Sequence, residues 1–165
     1  MKSKLTFPDF RTAGYRNISV CKELLDSLKD CPARNKVHIL HKIFYLSGYV
    51  VEFSFKYILF SSLRLRESQN LYEYEDLAFR KRWQQHNFDK LRVLLTAKKV
   101  IISTDIPFLG NKVDNRKLDE LLKAWDVQIR YSLGLSNNPV ILTQQLMEEL
   151  VNLTEQILNK VTTKH

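Results

Sequence analysis

Residues 41–59 read HKIFYLSGYVVEFSFKYIL, an apolar run interrupted by Glu52, Lys56 and a lone Gly48. Leu40, Phe44, Val51, Phe55, Ile58 and Leu59 fall on one helical stripe, and Tyr45, Tyr49, Glu52 and Lys56 on the stripe beside it. A helix apolar around most of its circumference is either the inner member of a bundle or a membrane span, and about 18 apolar residues suffice for a span. The charges decide between the two. Each would cost about 2–3 kcal/mol or more in lipid. On a water-soluble helix, Glu followed by Lys four residues later is the favourable orientation of an ion pair. The segment therefore predicts the central helix of a soluble bundle, over roughly 34–65, and no membrane span.

Outward from this helix, other amphipathic segments follow. Ile18, Cys21, Leu24, Leu25 and Leu28 predict a helix over about 17–30, stopped by Pro32. The segment 67–87 is acidic first and basic second, and reads as a loop with a short helix inside it. Phe88, Leu91, Leu94 and Leu95 predict a helix over about 88–99. Pro107, Gly110 and Asn111 break up 100–115, which reads as a connection with one extended piece. Leu118, Leu121, Leu122, Trp125 and Ile129 predict a helix over about 116–133. Asn138 then reads as an N-cap with Pro139 at the first helical position. The last helix, over about 139–161, buries Val140, Leu146, Met147, Leu150, Leu153, Ile157 and Val161. The expectation is one domain over 1–165, its core at about 15–161, folded as an all-α, up-and-down bundle of four or five helices.

The 165 residues carry a formal charge of +8 and a sequence pI near 9.5, which suits polyanionic or acidic partners. Met1–Phe10 has no apolar core or small-residue cleavage site of a secretory signal. Cys21 and Cys31 read as reduced thiols of a cytoplasmic protein. No phosphate-binding Gly loop, zinc-spaced Cys pair or nucleophile elbow occurs, so no cofactor is implied.

The spacing of Ser47, Gly48, Val51, Glu52 and Lys56 resembles the second helix of HEPN domains (higher eukaryote and prokaryote nucleotide-binding domains). HNFDKLRVLL, with His86, Phe88 and Leu91, resembles that family's His-x-Leu-x-x-Leu helix start, and Arg130–Tyr131 its Arg-Tyr pair near a helix end. The resemblance runs over about 15–160 in the family's order. It implies a homodimeric helical bundle in RNA or nucleotide biology. The partner it implies is a nucleotidyltransferase or an antitoxin of a defence or toxin–antitoxin system. Some members are metal-independent ribonucleases, and others serve as binding or scaffolding modules. Catalytic members place a His four to six residues after an Arg late in the fold. Here no His follows Arg130 until His165, which leaves that position empty.

Two displaced Arg/His pairs remain as catalytic candidates, Arg34 with His41 and Arg80 with His86. His38 and His41 share a helix face, but no nearby carboxylate or thiol completes a metal set, so no metal is expected. Arg80, Lys81, Arg82, Lys90, Arg92, Lys98 and Lys99 form a basic segment suited to phosphates, with Trp83 and His86 interleaved where they could stack on bases. Glu52, Lys56, Arg130 and Tyr131 form a candidate polar cluster, read first as an interior lock on helix register and second as a pocket lining. The leading functional expectation is a HEPN-like, RNA- or nucleotide-associated binding module. The alternatives are a ribonuclease using His86 or His41, and a bundle that docks only proteins.

Overall fold

The computed structural model describes residues 4–74, 77–128 and 141–164. These form six α-helices: α1 (Phe7–Ser27), α2 (Ala33–Ser62), α3 (Leu77–Trp83), α4 (Phe88–Ala97), α5 (Arg116–Ala124) and α6 (Gln144–Lys164). A 3-10 turn, Leu71–Glu73, precedes α3. No strand occurs among the described residues; the extended piece expected within 100–115 is reduced to a single bridge between Pro107 and Asn111.

Helix α1 begins ten residues before the expected position. The cause is local: Asp9 Oδ2 accepts from the Thr6 amide at 2.7 Å and from Thr6 Oγ1 at 2.9 Å, which closes the first turn, and Pro8 sits where its missing N–H costs nothing. Its buried face is Phe7, Phe10, Gly14, Ile18 and Cys21. The connection to α2 is short, and the contacts run in opposite order along the two helices. Phe7 meets Tyr57, Phe10 stacks between Phe53 and Phe60, and Cys21 reaches Ser47 and the Ile43 carbonyl. The two helices are therefore antiparallel.

Helix α6 lies antiparallel to α1 by the same test. Leu158 packs on Gly14, Tyr15 hydrogen-bonds Asn159 at 2.8 Å, and Lys22 pairs with Glu155 at 2.7 Å. Leu150, Val151, Ile157, Leu158 and Val161 of α6 are fully or almost fully buried. Helix α2 is long and apolar enough to cross a membrane by length and composition, but 83% of its apolar window is buried inside the protein, covered by α1, α6 and α4.

Helix α4 ends in a Schellman motif. Val100 N–H reaches back to the Leu95 carbonyl at 3.0 Å and Lys99 N–H to Thr96 at 2.9 Å, with Lys99 at φ 55°. Helix α5 stops at Ala124, earlier than periodicity predicts, because Trp125 takes an extended conformation, ψ 128°. The expected continuation of that helix past 128, and the Asn138–Pro139 cap, lie outside the described residues. Residues 141–143 are not helical, so α6 starts five residues after the expected boundary and continues to Lys164.

Candidate functional site

The two charges inside α2 are buried: Glu52 is 1% exposed and Lys56 5%. Lys56 Nζ donates to Glu52 Oε1 at 2.6 Å, one helical turn away. A carboxylate in low dielectric needs more than one donor, and His86 supplies the second: its Nδ1 lies 2.9 Å from Glu52 Oε2. The His86 side chain is 46% exposed, so the imidazole bridges a buried carboxylate to solvent. The sequence places His86 and Glu52 34 residues apart and gives no spacing that links them.

Packing on both sides holds His86 in place. Upstream, Trp83 is 2% exposed, wedged edge-on against Phe10 and Phe60. Downstream, the Asn87 side chain caps α4 by accepting from Lys90 N–H at 3.0 Å, and Phe88 stacks on Trp125 with centroids 4.9 Å apart and planes at 10°. Trp125 in turn lies flat across Gly48. A Cβ at Gly48 would sit 1.9 Å from the indole nitrogen, which explains the lone glycine in an otherwise bulky helix. The indole N–H donates to the Tyr45 carbonyl at 3.1 Å. Tyr49 packs edge-on to Trp125 and His86 and accepts a hydrogen bond from Tyr45. Tyr49 thus links Trp125 and Tyr45 to His86. Periodicity places Tyr45 and Tyr49 on the stripe of Glu52 and Lys56, and Trp125 on the apolar face of its own helix.

The remaining candidate residues are dispersed. Arg130 and Tyr131, expected to complete the cluster, lie outside the described residues. Arg80 donates through Nη2 to the Tyr72 carbonyl, and its guanidinium lies over the Tyr72 ring at 5.8 Å, so it fastens the 3-10 turn to α3. Arg92 is likewise held, donating to the Phe108 carbonyl at 2.7 Å with its guanidinium 4.4 Å from the Phe108 ring centroid. Lys98 lies over the Phe79 ring at 4.3 Å. Lys81, Arg82, Lys90 and Lys99 are exposed. Lys81 and Arg82 have no acidic partner among the described residues, and Lys90 meets only the neutral Gln85 side chain, at 3.3 Å. Trp83 is buried on the opposite side of α3 from these cations and is unable to stack on a base.

Arg34 and His38 are exposed at the start of α2, and His41 is half-buried with its Nδ1 unpartnered among the described residues. Burial, and then the neighbouring His38, push the His41 imidazole below its ordinary pKa. Among the described residues no carboxylate pairs with it. Among the described residues no group of three or more His, Cys, Asp or Glu side chains is placed to hold a metal ion. Burial raises the Cys21 thiol to about 11, which makes it inert, and neither Cys21 nor Cys31 is bridged.

Comparison with known proteins returns no relative: no family model, curated protein or solved structure matches the chain. The chemistry of the site therefore rests on its own geometry. A carboxylate that holds Nδ1 of an imidazole fixes the tautomer and leaves Nε2 for proton transfer or for a phosphate oxygen.

Proposed function

We propose that the protein is a HEPN-like, RNA-associated binding module whose contact face is the corner between α3 and α4. The observation that carries this reading is the set of exposed cations Lys81, Arg82 and Lys90 around the half-exposed His86, in a chain of net charge +8. Such a cluster attracts phosphates without specifying sequence. Trp83 drops out of the interface, and Arg80 and Arg92 contribute to its shape more than to its free charge. Fluorescence anisotropy with a single-stranded RNA tests the reading. Affinity should fall steeply with salt, with a log–log slope of about −0.7 per phosphate contact. Neutralising Lys81, Arg82 and Lys90 together should flatten that slope. No binding at low salt would leave a bundle that docks only proteins.

The Glu52–His86 contact favours a second reading, a metal-independent ribonuclease in which His86 moves a proton at the 2′-hydroxyl or the leaving oxygen and Glu52 orients it. RNA cleavage that persists in EDTA, disappears in His86→Ala and weakens in Glu52→Gln would establish it. Intact RNA under conditions of saturated binding would reject it and leave the binding role standing.

A further inference from the structure

We infer that His86 is a phosphoacceptor, whose Nε2 takes a phosphoryl group from a phosphoramidate donor and holds it as a phosphohistidine. The inference shares the Glu52–His86 contact with the ribonuclease reading, but it requires neither RNA binding nor RNA cleavage. The Glu52 carboxylate, paired with Lys56, only accepts, so the Nδ1 atom 2.9 Å from its Oε2 carries the hydrogen. In the neutral imidazole the lone pair is then on Nε2. Glu52 is 1% exposed and the His86 side chain 46%, so the ring is anchored along its buried edge and open along the other. Nε2 has no partner among the described residues. A nitrogen held in this way, unprotonated and reachable from solvent, is a nucleophile in waiting. His38 supplies the contrast: it is exposed at the start of α2 and pairs with no carboxylate among the described residues.

In the transfer step the Nε2 lone pair forms a new N–P bond as the donor's own P–N bond breaks, and ammonia leaves with the electron pair of the broken bond. No proton has to move, because the nitrogen of zwitterionic phosphoramidate is already an ammonium and Nδ1 keeps its hydrogen. The imidazole gains a positive charge as the bond forms, and that charge develops against the Glu52 carboxylate. The arriving group is anionic, and the turn that carries His86 is cationic. Lys90 Nζ reaches Gln85, the residue before His86, at 3.3 Å, and Gln85 Nε2 donates to the Lys81 carbonyl at 2.9 Å. Lys81, Arg82 and Lys90 therefore gather at this turn with no acidic partner among the described residues. Asp89, the acid in the first turn of α4, pairs with Arg92 at 3.1 Å. His86 also directly precedes Asn87, the N-cap of α4, and the positive end of that helix favours a phosphoryl group beside it.

Incubating the full chain with inorganic phosphoramidate, then mapping the phosphoryl group by mass spectrometry over time, tests this. His86 should gain one acid-labile phosphoryl group about tenfold or more faster than His38 in the same molecule. Glu52→Gln should remove that advantage and bring His86 down to the rate of His38. Lys81→Ala/Arg82→Ala/Lys90→Ala, a surface variant, should slow His86 and leave His38 unchanged. Far-UV circular dichroism confirms that each variant is folded, and the ratio of the two rates in the wild type decides the matter even if Glu52→Gln does not fold. Three results would overturn the inference: no phosphoryl group on His86, a wild-type His86 no faster than His38, or an undiminished His86 rate in folded Glu52→Gln. RNA affinity and RNA cleavage are measured on the unmodified chain, so this inference and the RNA readings can each fail alone.

Discussion

Glu52 and Asp105 have nearly the same partners and opposite surroundings. Glu52 meets Lys56 and His86 while 1% exposed. Asp105 meets Lys164, Lys160 and Ser103, with its side chain 45% exposed. In water two charges 4 Å apart attract by about 1 kcal/mol, and the attraction rises severalfold where the surroundings exclude water. The same burial removes hydration from each charge, so the interior set is costly to assemble and more costly to break. Counting ion pairs therefore says little about stability. What matters is whether water can replace a lost partner. At Asp105 it can, and at Glu52 it cannot.

Removing one interior partner has the largest expected effect. Glu52→Ala leaves the Lys56 ammonium among Phe10 and Trp83 with no carboxylate, and should destabilise by about 3–5 kcal/mol in a urea melt. Changing the pair together, Glu52→Leu with Lys56→Met, should recover much of that loss, because two isosteric apolar side chains need no partner. A double variant as unstable as the single one would mean that the cluster stabilises by shape, not by charge pairing.

Next in size is the contact of Trp125 with Gly48. Gly48→Ala places a methyl inside the Trp125 ring and must displace it, which should cost about 1–3 kcal/mol and increase the solvent exposure of the indole. A blue shift of Trp fluorescence, or unchanged stability, would show that Trp125 is not fixed on Gly48. The same displacement frees Phe88 from its stacking partner and should loosen His86 as well. The proton-transfer reading is therefore exposed to this variant through a residue that touches neither His86 nor Glu52.

The parts of this arrangement that could be read in the sequence are those set by neighbours along the chain. The apolar stripe of α2 and its Glu52–Lys56 pair are i, i+4 relations, and they hold. The early start of α1 was written in Thr6-Phe7-Pro8-Asp9, a capping box that hydrophobic periodicity alone overlooks. Trp83 also carried a signal, since Phe79 and Trp83 at i, i+4 are both buried while the intervening Lys81 and Arg82 face out. The end of α5 was not legible, because the chain leaves helical geometry at Trp125, whose ring crosses a glycine 77 positions earlier in the numbering (125 − 48). Nor was the Glu52–His86 contact. The sequence reading places Arg130 beside Glu52 and Lys56, a position outside the described residues, and no spacing points to His86.

The smallest effect belongs to Asp105. Its hydrogen bonds from Lys164 and Ser103, and then the nearby lysine charges, lower its carboxyl from the ordinary 3.8 to about 2. A folded-state value below the unfolded one means that the unfolded chain binds the proton more readily. The contribution is therefore fully present above pH about 4 and is lost as pH falls through about 2. Carboxyl-carbon NMR should show Asp105 titrating well below the usual aspartate range, and Lys164→Ala should move that midpoint upward. Asp105→Asn should shift the melting temperature at pH 7 only slightly, and added salt should shrink even that shift, because the group is open to counterions. The loss in Glu52→Ala should survive the same salt nearly unchanged, since ions cannot reach a carboxylate that is 1% exposed. Equal salt sensitivity at the two sites would mean that water reaches Glu52, and the distinction between the two clusters would collapse.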